Sequence, residues 1–352
     1  MANPTTYIVT ARDVLDDGSY GEEPGDLMFH ALKPGAKDYS PTTASADPQA
    51  WRTRLIAAAD GEEDTITGRT GNVLLFVHGY NNTRADVLWR TRTLQQTLAA
   101  AGWAGVVVAF DWPSGNSVLG YLEDRSDAAA VADTIVTQLL PMLVPMTRET
   151  PNGTVRDPDP SCRIDVHLIG HSTGAFVAIE AFARAQAHGD LFKSDWHLGQ
   201  LAFIGGDVAA SCLAAGDSWA RPMMDRVIRV TNYSNGHDAV LGASNAKRLG
   251  LSPRAGRVGA AAPMHAKVAN VDCTAYFETI DPKKASYAGT FCHSWHIGDP
   301  VFALDLALTL EASSDRRALA TRADGGGGTL HLQPADRPAF SGLWQASGRR
   351  RK

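Results

Sequence analysis

From about residue 73 to residue 310 the chain alternates two kinds of apolar pattern. The first is a short strand-like run, unbroken at Val73-Leu74-Leu75-Phe76-Val77, 106–110 and 201–204 and interrupted by polar residues at 164–169, 226–230 and 267–271. Such runs suit parallel strands covered on both faces. Between them apolar residues recur at helical spacing. Val87, Thr91, Leu94 and Leu98 predict a helix over 84–101. Val131, Ile135 and Leu139 predict another over 124–140, with Pro141 expected to end it. Asp47-Pro48 and Asp299-Pro300 each read as a cap followed by proline at the first helical position. The first opens a helix with Trp51, Leu55 and Ala58 on one face, and the second a last helix to about Leu310. This alternation predicts an α/β fold, a mostly parallel central sheet with helices on both faces.

The flanks read differently. Short strands at 7–10 and 27–32 predict an edge hairpin within residues 1–46, part of the same domain as a catalytic core over 47–312. Polar stretches at 60–72 and 150–160 read as loops. From residue 313 periodicity is lost, and 313–352, with Gly325–Gly328, is expected to be a flexible tail.

One segment carries chemistry. The β-branched run Ile164–Ile169 meets Gly170-His171-Ser172-Thr173-Gly174, and an Ala-rich helical pattern follows. This is G-x-S-x-G in the strand–turn–helix setting of a nucleophile elbow. The turn lifts a serine off the sheet edge, and the helix N-terminus behind it faces developing negative charge. Serine is a weak nucleophile at neutral pH, so it needs a histidine base, a carboxylate to orient that base, and amides aimed at the oxyanion. Val73–Val77 runs into His78-Gly79-Tyr80-Asn81, a strand followed at once by a histidine–glycine turn. That turn and the residue after the serine nominate the backbone amides of Tyr80 and Thr173 as the oxyanion hole. His78 precedes the elbow and is read as structural. The residues alone leave the acid open between Asp238 and Asp207, each beyond a strand's carboxyl end. They leave the base open among His293, His296, His265 and His237.

Several motifs in order resemble a known family. Val73-Leu-Leu-Phe-Val-His-Gly-Tyr-Asn-Asn, Phe110-Asp-Trp-Pro-Ser-Gly with Tyr121 and Asp124 beyond it, and His167-Leu-Ile-Gly-His-Ser-Thr-Gly are similar to the bacterial α/β-hydrolase family of unknown function. That family carries an HGYN turn, a WPS-x-G segment and a GHSMG-like elbow. The resemblance continues through Val230–Leu241 to His293-Ser294-Trp295, Pro300 and Asp305, covering roughly 72–310. Thr173 stands where the family usually has a larger apolar residue. The resemblance implies an α/β-hydrolase fold, Asp238 as acid and His293 as base. It implies little about substrate.

Composition narrows the setting. The 352 residues carry a formal net charge of −5, which gives no sign of a nucleic-acid partner. The basic end Arg349–Lys352 reads as solvated. The N-terminus has neither the basic region nor the apolar core of a signal peptide, and no apolar run is long enough to span a bilayer. Cys162, Cys212, Cys273 and Cys292 lack metal-type spacing and read as reduced thiols. The expectation is a cytoplasmic serine hydrolase of carboxylic esters, acting on a small-molecule or polymeric ester, with no metal and no cofactor. Thioester or amide cleavage, or acyl transfer, would use the same triad, and an idle hydrolase fold serving as a binding module is a further alternative. Trp112, Trp219, Tyr233, Met223, Met224 and Trp295 read as packing rather than as an acyl pocket. The basic, Gly/Ala-rich segment 232–267 reads as a solvated loop rather than a cover over the pocket or an anion site.

Overall fold

A computed structural model of the chain describes residues 4–60, 71–115, 124–143, 164–189, 193, 196–312 and 314–338. The 150–160 loop, Tyr121, Cys162 and the C-terminal basic residues lie outside these. The strands are β1 (Thr6–Val14), β2 (Tyr20–Leu32), β3 (Gly71–Val77), β4 (Val106–Asp111), β5 (Ile164–His171), β6 (Leu198–Ile204), β7 (Val227–Ser234), β8 (Val268–Asp272), β9 (Arg322–Asp324) and β10 (Thr329–Leu332). They form one sheet in the order β2-β1-β4-β3-β5-β6-β7-β8-β10-β9. Only the outermost pairs, β1 with β2 and β10 with β9, are antiparallel; every pairing between them is parallel.

The unbroken apolar runs are explained by cover on both sides. Along β3, Val73, Leu75 and Val77 join one buried cluster while Leu74 and Phe76 join the other. The first cluster packs beneath helices Pro48–Ala59 and Gly174–Ala187, through Trp51, Leu55, Val177 and Phe182. The second packs beneath helices Arg84–Ala100 and Pro300–Glu311, through Leu94, Leu98, Phe302 and Leu306. The caps form as the sequence predicts: the Asp47 and Asp299 carboxylates accept from the amides of Gln49 and Phe302.

Two expectations need correction. Pro141 does not end its helix. A wide turn at Ile135–Leu139, with Leu140 N–H bonded to Ile135 O, precedes a last turn at Leu140–Leu143. The wider ladder accommodates a proline that can neither donate nor tolerate the usual carbonyl beneath its ring. Nor is the segment from 313 simply a flexible tail, since β9 and β10 lie within it and Gly325–Gly328 make the turn between them. Strands of three and four residues are too short to register as a period.

A buried ion pair fastens this C-terminal hairpin. Arg322 Nη2 lies 2.6 Å from Asp305 Oδ2, with both side chains fully buried. Tyr233 donates its hydroxyl to the same carboxylate at 2.7 Å and Thr321 donates at 2.5 Å. Breaking the pair from one side strands a charge in the core. Arg322→Met should therefore cost about 3–5 kcal/mol in a urea titration, and Asp305→Leu in that background should recover much of it.

Candidate active site

The elbow forms at the carboxyl end of β5. Ser172 has φ 54°, the left-handed region that a non-glycine residue occupies only when its surroundings impose it. They do so here: Ser172 N–H donates to Ile204 O, and Ser172 O accepts from the amides of Ala175 and Asp207. The motif glycines let backbones meet, because a Cβ on Gly174 would lie 2.2 Å from Val77 O, at the end of β3.

The histidine–glycine turn passes directly over the serine. A Cβ on Gly79 would lie 2.6 Å from Ser172 Cβ and 3.2 Å from its Oγ, so only glycine brings the turn this close. The turn is braced from beneath. Trp112 Nε1 donates to His78 O at 2.8 Å, His78 Nδ1 pairs with Gly79 O at 2.8 Å, and Asn82 Nδ2 donates to the carbonyls of Gly79 and Tyr80. His78 Nε2 lies 3.3 Å from Asp111, which also accepts from Thr10, Arg12 and Tyr39. Burial alone would raise the Asp111 pKa, but the hydrogen bond from His78 and the Arg12 charge hold its carboxyl below the usual range. His78 is thus a strut inside a buried network. Arg12 and Asp111 belong to that network; Asp111 falls within the Phe110-Asp-Trp-Pro-Ser-Gly motif, whereas Arg12 carries no sequence signal of its own.

Beyond β7, Asp238 caps helix Ala239–Ala246, accepting the Leu241 amide on Oδ1 at 2.9 Å. Its Oδ2 lies 2.6 Å from His293 Nδ1. His293 belongs to the short helix Phe291–Ser294, ahead of the last helix. The pair packs against Gly205, just beyond the Ile204 carbonyl that holds Ser172; a Cβ there would lie 3.4 Å from both Asp238 Oδ2 and His293 Nδ1. The elbow, the glycine turn and the Asp238–His293 pair therefore gather at the carboxyl end of the parallel strands, beyond β5, β3 and β7 and on the short helix Phe291–Ser294.

The competitors sit otherwise. The Asp207 carboxylate accepts from Ser244 Oγ at 2.7 Å and lies 3.6 Å from Arg254 Nη1. His237 is half-exposed and pairs with Glu278, and His265 Nδ1 accepts the Lys267 amide. His296 is buried, stacks on Trp295 at 4.1 Å, and has no hydrogen-bond partner on either ring nitrogen among the described residues. Burial, then the neighbouring His293, pushes its pKa well below the ordinary value. His171 is shifted the same way by burial and by His293 and Arg90. Below about pH 6.5 the unfolded chain binds protons at these positions that the folded chain refuses. Stability should accordingly fall as the pH drops from about 6.5, and His296→Phe should flatten that slope in thermal melts while leaving turnover near wild type.

A pocket of about 390 Å³ opens at the serine, lined by Tyr80, Ser172, Thr173, Asp207 and, from one helix and its end, Ala239, Val240, Leu241, Ala243, Ser244 and Lys247. Its size is that of an ordinary small-molecule site. The segment 232–267, expected as a solvated loop, thus supplies a pocket wall. An Ala/Gly-rich helix has too faint an apolar stripe to announce itself. Trp112, Tyr233, Met223, Met224 and Trp295 are buried packing, while Trp219 lies at a tilt against Phe176, ring centroids 5.4 Å apart, and donates to Glu180. Cys212, Cys273 and Cys292 are free thiols. Among the described residues no cluster of His, Cys, Asp and Glu could hold a metal ion, and no helix is long and apolar enough to cross a membrane.

No curated protein matches the chain. Among solved structures it is similar to the dienelactone hydrolase of Anabaena variabilis, at 17% identity over 68% of this chain and 84% of that one, with a TM-score of 0.33. It is also similar to a Trichoderma reesei cutinase in complex with a phosphonate inhibitor, at 13% identity over 74% and 82%, with a TM-score of 0.30. A putative cell surface hydrolase of Lactobacillus plantarum gives 10% identity over 69% and 90%, with a TM-score of 0.32. Likenesses this low carry nothing about mechanism. The family comparison is different in kind: residues 58–307 match the family described as an alpha/beta hydrolase of unknown function, and that span takes in the glycine turn, the elbow, Asp238 and His293. This chain belongs to that family of α/β hydrolases.

Proposed function

We propose that the chain is a serine hydrolase that cleaves carboxylic esters through an acyl-enzyme on Ser172. The observation that supports this most is the 2.6 Å contact of His293 Nδ1 with the buried Asp238 carboxylate, beside a serine held at φ 54°. A carboxylate can only accept, so His293 carries its proton on Nδ1 and offers Nε2 as a base. Nε2 takes the Ser172 proton as Oγ bonds to the ester carbon and the carbonyl electrons move to oxygen. The amides of Tyr80 and Thr173 receive that oxyanion, each such donor contributing about 2.7–4 kcal/mol in comparable sites. The intermediate collapses, the ester C–O bond breaks, and His293 returns the proton to the departing alcohol. Water, deprotonated by the same imidazole, then attacks the acyl carbon and frees Ser172 with the carboxylic acid.

The pocket wall of Ala239, Val240, Leu241 and Ala243 is apolar and suits an aliphatic acyl chain. A fluorophosphonate probe should label one peptide, the one containing Ser172, and p-nitrophenyl esters of graded length should be turned over. Absence of both labelling and turnover in folded protein would overturn the proposal and favour a binding module.

A further inference from the structure

We propose that His171, the residue before the elbow serine, is a positioning residue that locks the backbone of His293 to the elbow. This rests on the triad reading above. His171 ends β5 and is 2% exposed. Its Nε2 lies 3.0 Å from the carbonyl oxygen of His293, and its ring centroid lies 4.9 Å from the His293 ring. A carbonyl only accepts, so the proton sits on Nε2. Its Nδ1 lies 3.4 Å from Arg90 Nη1, and a guanidinium only donates, so Nδ1 is bare. Both neighbours select the same neutral tautomer, the form that burial also favours.

Arg90 does more than choose the tautomer. Its Nη2 donates to Ala288 O at 2.9 Å, so one guanidinium reaches the base-bearing segment directly at Ala288 and, through His171, at His293. On the other side Asn235 Nδ2 donates to Cys292 O at 3.1 Å. The base thus sits on a segment clamped from helix Arg84–Ala100, from β5 and from the loop that carries Asp238. Because His171 adjoins Ser172 in the chain, the clamp ties base to nucleophile directly. Displacing a catalytic group by about 1 Å can lower the rate about 10²-fold while substrate binding is little changed.

The test uses the full chain and a short p-nitrophenyl ester, with kcat and KM measured separately beside thermal melts. His171→Phe keeps a planar ring but removes the donor. It should lower kcat about 10²-fold with KM within about twofold. His171→Gln, which restores an N–H at similar reach, should recover about tenfold of that loss. Arg90→Met, which releases the tautomer, should lower kcat about tenfold. A folded His171→Phe with wild-type kcat, or a glutamine no better than phenylalanine, would overturn the proposal, because a role in packing alone moves the melting temperature and not this split. Should His171→Phe fail to fold, Arg90→Met decides: wild-type kcat there overturns it equally. Ser172→Ala is run alongside. If that variant stays active, the triad reading has failed; if it is dead while His171→Phe is normal, only the clamp has.

Discussion

Ser172→Ala should abolish both ester hydrolysis and fluorophosphonate labelling, a fall of about 10⁶-fold in kcat where a triad acts as a unit. Without Oγ nothing can be acylated, and what survives is the residual rate from binding and the oxyanion amides. The fold should not notice. Ser172 holds φ 54° because its backbone is fixed from β6 and from the Asp207 amide, not because of its hydroxyl. Alanine meets the same left-handed penalty as serine, so the melting temperature should stay within about 2 °C. Ser172→Gly, which escapes that penalty, should be as inactive and somewhat more stable. More than a few per cent of wild-type turnover in the alanine variant would remove Ser172 from the chemistry.

The second large effect separates two aspartates. Asp238→Asn should lower kcat on the order of 10⁴-fold. An asparagine can turn its amide nitrogen toward His293 and donate to Nδ1, which forces the proton onto Nε2, where it blocks uptake of the serine proton. The change is otherwise mild, because asparagine caps a helix as well as aspartate does and can keep the bond to the Leu241 amide. Asp207→Asn should act in the opposite sense. It weakens the partnership with Arg254 and Ser244, so stability falls while kcat stays within about tenfold. If Asp207→Asn is the dead variant and Asp238→Asn remains active, the acid has been misassigned.

Much of the fold is legible along the chain because its signals are local. Val73–Val77 reads as a strand covered twice because every residue is apolar, and both faces of β3 are indeed buried. Asp47-Pro48 and Asp299-Pro300 announce their helices through cap chemistry that operates within three residues. Gly170–Gly174 announces the elbow for the same reason: close backbone approach and a left-handed serine leave few other residues possible there.

What joins distant segments is another matter. By itself the sequence determined an α/β fold, the elbow serine and a glycine turn; its residues alone left a short roll of acids and histidines, from which the family resemblance singled out Asp238 and His293. Only the tertiary structure decided that Asp238 meets His293 while Asp207 meets Ser244 and Arg254, and that His296 is packed between Trp295 and Phe302. The same holds for the wall at 239–247, for β9 and β10, and for the contact of His171 with the His293 carbonyl. Strand periods and helix caps act over a few residues and leave a mark in composition. A hydrogen bond between residues 122 positions apart depends on sheet order and loop path, which no local pattern encodes.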